Sequence, residues 1–192
     1  YYHNSALTNG AGDNSYRYAG ASNSVNNYIC FGSTEDVCPA DNLYRIIGVF
    51  GENYHGVSGK QLVKLIKYDY ATSALLGTDG DYCGSYTPDA SYYKGSLTTI
   101  NTYYWNYKAT NSATNTWSTS LLNKTNLNTN FINNIGMTWA NKIATTTWKV
   151  GGNTFDNIGS SVPSIAYQNE IVAPAENTTY DAKIGLMYVS DY

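Results

Sequence analysis

Charge is scarce in this chain. Of 192 residues only 13% are Asp, Glu, Lys or Arg, and the net charge is -3. No basic field exists to hold a phosphate backbone, so nucleic acid is excluded as a partner. Histidine is scarcer still, with only His3 and His55, which leaves little material for zinc ligation or for Ser-His-Asp chemistry. The four prolines build no linker, and no internal repeat is visible. No apolar run approaches the ~20 residues that a membrane helix needs, so no membrane insertion within this chain is expected. The chain opens at Tyr1 without Met or an apolar targeting segment, which reads as a processed or excised piece of a longer product. What is plentiful is aromatic and polar-neutral: 20 tyrosines, with Asn, Thr, Ser and Gly filling most of the rest. Such residues offer hydrogen bonds and stacking area without charge, a profile that suits an extracellular or cell-surface protein. Codon bias in a low-GC genome is the alternative source of the Asn and Tyr.

Length allows one domain over 1–192 with a sizeable core. Residues 1–24 are polar and turn-rich, with "TNGAGDNS" as a loop signal. Over 28–70, "YICF", "LYRIIGVF" and "QLVKLIKYDY" are rich in β-branched and aromatic residues and bounded by turns, which predicts a three-strand antiparallel meander. Residues 71–116 are rich in Tyr, Gly and Asn and read as a long loop around one strand at "TYYWNY". Leu127, Phe131, Ile135, Trp139 and Ile143 recur at i+4, which predicts helix over 117–145, capped by Ser118 or Ser120 and broken at Gly136. Over 146–192, "TTTWKVGG" and "AKIGLMYV" read as strands separated by a loop. Strands, then helices, then strands favour an α+β class.

Cys30 and Cys38 bracket a short acidic loop. Zinc would need further Cys or His at ligand spacing, and a redox pair would be C-x-x-C, whereas seven residues intervene here. A disulfide is the favoured reading, implying an oxidising compartment; two buried free thiols are the alternative. Cys83 is left without an assigned partner. Calcium candidates are Asp79, Asp81 and Asp89 in "TDGDYCGSYTPD", although this stretch lacks the spacing and closing Glu of an EF-hand. Solvated turn residues are the simpler reading. Asp13-Asn14 and Asp41-Asn42 read as Asx-turns. "GVSGK" is not a nucleophile elbow, "YHGVSGKQ" is not a phosphate loop, and both histidines fall in turn contexts. The chain is therefore expected to be no enzyme and to need no cofactor.

The aromatic stretches carry the binding expectation. Tyr92, Tyr93, Tyr103, Tyr104, Trp105 and Tyr107 could form a stacking platform for glycan or protein, with Trp117 beside them, since Tyr supplies rigid amphipathic contact area at low entropic cost. Core packing is the alternative, and it is favoured for Trp139 and Trp148.

Several stretches carry a resemblance. "DNSYRYAG", "NNYICFG", "CPADNLYRIIGVF", "VKLIKYDYA", "NTWSTSLLN", "KIATTTWKVGG" and "AKIGLMYVSDY" resemble a group of exported proteins of unknown function from gut Firmicutes. The order of Tyr28–Gly32, Leu43–Phe50, Leu62–Tyr70 and Thr116–Leu122 is also similar to a broader bacterial domain with a C-type-lectin-like fold, as in formylglycine-generating enzymes. Members of the group continue past "GLMYVSDY" into a Trp-containing strand and a closing V-R-P strand, so the resemblance implies an incomplete domain. The paired cysteines of formylglycine generation belong to that further part. Together these readings predict a non-catalytic, extracellular ligand-binding or adhesion module of a bacterial surface protein. The alternative is a structural subunit of a surface filament or pilus-like assembly, whose partners are neighbouring subunits.

Overall fold

The computed structural model describes residues 2–3, 10–13, 15–18, 20–21, 23–51, 55, 57–82, 93–95, 117–120, 122–150, 159–174 and 179–191. They form an α+β arrangement of antiparallel sheet with few, short helices. The chain divides into two compact units, one of residues 1–69, 146–181 and 186–192, the other of residues 70–145 and 182–185.

The spine of the first unit is β4 (Leu43–Gly51), whose "LYRIIGVFG" supplies the branched and aromatic side chains that suit a pleated surface. β5 (Gln61–Lys67) pairs along one edge of β4. The other edge is shared: β3 (Tyr28–Cys30) pairs with residues 43–45, and β2 (Tyr16–Arg17) with residues 48–49. β1 (Tyr2–His3) pairs in turn with β2, and every pairing is antiparallel. β3, β4 and β5 are thus the meander expected over 28–70. The register shifts at Ile47, where Ile46 faces Leu65 but Gly48 faces Lys64. One extra residue flips the faces, so Arg45, Gly48 and Phe50 share a face with Ile66, Lys64 and Leu62. Arg17, opposite Gly48, joins them. The Cys30–Cys38 disulfide closes the turn between β3 and β4, with Cα atoms 5.7 Å apart, and Glu35 and Asp36 stand exposed in the loop it closes.

The stretch after residue 158, read from sequence as loop, contains α4 (Pro163–Tyr167), continued by a π-helical turn over Gln168–Val172. Pro163 occupies the first helical turn, where its missing N–H costs nothing. The buried faces of Tyr167 and Ile171, one turn apart, join Ala11 and Tyr188 in the core cluster, with Trp148 packed against it. The final strand expected at "AKIGLMYV" is displaced. β9 (Thr179–Ala182) pairs with β8 (Thr146–Lys149), and the chain then runs irregularly into a 3-10 turn at Val189–Asp191.

In the second unit, α1 (Ser73–Leu76) leads into β6 (Thr78–Tyr82), which pairs with β7 (Tyr93–Gly95). "TDGDY", read as loop, is strand backbone because it finds a partner; pairing overrides local turn preference. The helical expectation over 117–145 resolves into pieces: a 3-10 turn at Trp117–Thr119, a π-helical Leu122–Phe131, α2 (Ile132–Asn134) and α3 (Met137–Ala140). Leu127, Phe131 and Ile135 are buried. Gly136 separates α2 from α3 with φ 82. Two side chains reach back five residues, Asn128 to the Asn123 carbonyl and Thr129 to the Lys124 carbonyl, matching the wider turn of a π-helix. The asparagines that weaken helix propensity here cap a neighbour instead. Asn126 and Asn130 each donate to the Leu76 carbonyl at 3.1 and 2.9 Å, and Asn134 donates to those of Ala74 and Leu75 at 2.8 and 3.1 Å. The last carbonyls of α1, which have no intrahelical donor, are thereby satisfied. Asn128 does the same for an irregular segment, accepting from the Ile184 N–H at 3.1 Å and donating to its carbonyl at 3.0 Å.

Candidate functional site

Five titratable residues of the first unit, Asp13, Arg17, His55, Lys64 and Asp191, meet in one cluster. It begins in "GDNSYRY". Asp13, Ser15 and Arg17 are buried while Tyr16 and Tyr18 stay exposed, and within β2 the neighbours Tyr16 and Arg17 point to opposite faces. Arg17 then lies over the Phe50 ring, 4.9 Å from its centroid. Gly48 makes this approach possible, because a Cβ there would stand 2.3 Å from the Tyr16 carbonyl oxygen.

Asp13 is the hub. Its Oδ2 accepts from Arg17 Nη2 at 2.7 Å and meets His55 Nε2 at 2.6 Å, and its Oδ1 accepts from Ser15 Oγ at 2.5 Å. Arg17 spends its other donors on Ser15 Oγ at 2.9 Å and on the Ser190 carbonyl at 2.6 Å. A guanidinium suits this role, since it presents several donors in a fixed fork and stays charged when buried. His55, in the loop between β4 and β5, lies edge-on to Phe50 at 4.3 Å and stacks on Tyr167 at 5.6 Å. Burial among these rings pushes its pKa down, against the opposing pull of Asp13.

A second ion pair lies beside the first. Lys64, from the middle of β5, reaches Asp191 Oδ2 at 2.5 Å. Its ammonium nitrogen stands 4.4 Å from the Tyr188 ring centroid, 5.1 Å from that of Phe50 and 5.5 Å from that of Trp148. Burial lowers the Lys64 pKa although Asp191 pulls it up. The 3-10 turn that carries Asp191 is itself held: Glu170 accepts from the N–H groups of Val189 and Ser190, and Asp191 Oδ2 accepts from the Tyr188 N–H at 3.0 Å. Three buried atoms of the cluster have no hydrogen-bond partner: His55 Nδ1, Ser190 Oγ and Asp191 Oδ1.

The sequence places Asp13 and His55 in turn contexts, and the structure adds that Asp13 is a buried hub and that His55 packs against it from the loop between β4 and β5. The local sequence gives no sign of this, since Asp13, His55, Lys64 and Asp191 meet only through tertiary folding. The one legible signal is the alternation from Ser15 to Tyr18. A hydrolytic triad has its nucleophile on the imidazole nitrogen remote from the carboxylate; in this cluster that nitrogen, His55 Nδ1, is buried with no hydrogen-bond partner.

The other predicted positions fare differently. Cys30 and Cys38 are joined. Trp117, offered for stacking, is 2% exposed and therefore core. Tyr93 lies in β7 and Asp79 and Asp81 in β6. Tyr92, Tyr103, Tyr104, Trp105, Tyr107, Asp89 and Cys83 lie outside the described residues. Among the described residues there is no group of three or more His, Cys, Asp or Glu side chains placed to hold a metal ion, and no helix long and apolar enough to cross a membrane. Two further tyrosines form an exposed pair, Tyr28 edge-on to Tyr68 at 5.5 Å with the Arg45 guanidinium 5.3 Å from the Tyr28 ring centroid. Comparison with protein-family models, with curated proteins and with solved structures finds no match to this chain.

Proposed function

We propose that this chain is a non-catalytic, extracellular ligand-binding or adhesion module of a bacterial surface protein, built on a C-type-lectin-like scaffold. The observation that carries the reading is the Cys30–Cys38 disulfide on an exposed turn, a bond that persists in oxidising compartments. The acid–base groups support it as well: buried Asp13 is bound to Arg17 and His55, and buried Asp191 to the largely covered Lys64. The C-type-lectin-like assignment rests on the order of an aromatic strand, a stapled turn and the "LYRIIGVF" strand. Ligand contact is assigned to Tyr92, Tyr93, Tyr103, Tyr104, Trp105 and Tyr107, and the ligand class is glycan or protein. The test is a glycan and surface-protein binding screen on the oxidised chain, repeated with Tyr103, Tyr104 and Trp105 replaced by Ala. Binding that disappears in the variant is the expected result; no binding by the parent chain overturns the reading.

One observation favours a subunit of a surface filament as the second reading. Tyr16, Val49 and Val63 form a cross-strand row on the sheet face opposite Phe50, and Tyr16 and Val63 are 41% and 56% exposed. Such a row suits contact with another subunit. Electron microscopy of native material separates the two readings: ordered filaments support this one, and dispersed single particles exclude it.

A further inference from the structure

The Lys64–Asp191 pair has the attributes of two groups set to join covalently rather than of an ion pair held for stability. The two side chains come from β5 and from the final 3-10 turn, 127 residues apart in sequence. They are in contact, with Nζ 2.5 Å from Oδ2. The rings of Phe50, Trp148 and Tyr188 surround the amine, and the Lys64 side chain is only 15% exposed. An ion pair in such surroundings gives up the hydration of both charges, and a proton passed from ammonium to carboxylate leaves a neutral amine facing a neutral carboxylic acid. The carboxyl is unevenly supported. Its Oδ2 accepts from the Tyr188 N–H, whereas its Oδ1 is buried with no partner at all. An ionised carboxylate needs both oxygens solvated or bonded. A carboxyl about to lose one oxygen needs support only for the oxygen it keeps.

We propose that Lys64 and Asp191 form an intramolecular isopeptide bond. The neutral Nζ adds to Cγ of the protonated Asp191 carboxyl, forming the C–N bond. The nitrogen passes a proton to Oδ1, the Cγ–Oδ1 bond breaks, and Oδ1 leaves as water with the proton that Oδ2 had received from Nζ. The amide that remains keeps one N–H, and its carbonyl oxygen stays on the Tyr188 N–H. No oxidant, reductant or activated donor is needed, because amine and acid give amide and water in balance. Desolvation, which lowers the Lys64 pKa, favours the nucleophilic form of the amine. The aromatic wall also keeps the product from hydrolysis. This inference does not depend on the ligand-binding reading, since the cluster lies in the core of the first unit whatever the surface binds.

The test is mass spectrometry of the full chain after reduction of the disulfide. The expected intact mass is that of the sequence less one water. A tryptic digest should then give a branched peptide joining the segment around Lys64 to the segment around Asp191, with no cleavage after Lys64. Lys64→Arg, which keeps the charge but cannot form this amide, should show the full sequence mass. An intact mass equal to the sequence, with both segments recovered as linear peptides, overturns the proposal. So does a water loss that persists in Lys64→Arg, which would place the dehydration elsewhere. The peptide map uses the parent chain, so the proposal stays testable even where the variant fails to fold.

Discussion

At the scale of the residue, His55 is where burial and charge conflict most openly. Its Nε2 has a carboxylate and its Nδ1 has nothing, so the neutral ring wastes one acceptor while the protonated ring would bury an unpartnered N–H. Burial is the largest influence and lowers the pKa below the ordinary 6.5. The sign follows from linkage: in the unfolded chain the imidazole takes up its proton at the ordinary value, and in the folded chain it resists. The stability contributed by keeping it neutral is therefore complete above the unfolded pKa and is lost as pH falls through that value, with a slope of up to about 1.4 kcal/mol per pH unit. Urea midpoints measured between pH 7 and pH 5 should fall for the parent chain and fall less steeply for His55→Phe, which keeps a ring against Phe50 and Tyr167 but cannot titrate. Parallel curves would mean that His55 does not carry the dependence.

At the scale of the element, backbone approach decides more than side-chain propensity does. β2 is two residues long, yet it delivers Arg17 to the cluster because Gly48 lets its backbone in. Gly48→Ala would set a methyl group against the Tyr16 carbonyl at 2.3 Å. Overpacking of this kind costs about 1–3 kcal/mol, and thermal unfolding should show the loss, because β2 must move and take Arg17 from Asp13. The disulfide makes a second prediction at this scale. The loop between Cys30 and Cys38 is short, so in the chain-entropy treatment the bond contributes about 2–3 kcal/mol. Replacing both cysteines with serine should lower the denaturation midpoint by a corresponding amount, and reductant should then have no further effect on the variant. These elements also show what the sequence makes visible. β3, β4 and β5 are legible because branched and aromatic runs alternate with turns, and the break at Gly136 is legible because glycine is costly in a helix. The helix at Pro163–Tyr167 is hidden by its flanking polar residues, although Tyr167 and Ile171 one turn apart are a readable trace of it. The π-helical winding of Leu122–Phe131 leaves no such trace, since Asn128 and Thr129 declare their five-residue reach only once the backbone is wound.

At the scale of the whole molecule, the cluster brings together Asp13 from an early loop, Lys64 from β5 and Asp191 from the last turn. No local pattern announces this, because it depends on the sheet register and on Glu170 holding the Val189 and Ser190 N–H groups. A covalent Lys64–Asp191 link changes the unfolded chain more than the folded one. It closes a loop with a sequence separation of 127, and in the chain-entropy treatment a loop of this size removes about 5 kcal/mol of denatured-state freedom. Far more of the chain is constrained than by the Cys30–Cys38 turn. Size-exclusion chromatography in concentrated guanidinium with reductant isolates this effect, because every non-covalent contact and the disulfide are then gone. The parent chain should elute as a smaller denatured particle than Lys64→Arg, and its denaturation midpoint should be the higher of the two. Co-elution of the two chains under denaturant would mean that Lys64 and Asp191 hold one another only by charge. The cluster would then be a buried ion pair whose loss costs only what leaving one partner uncompensated costs, about 3–5 kcal/mol.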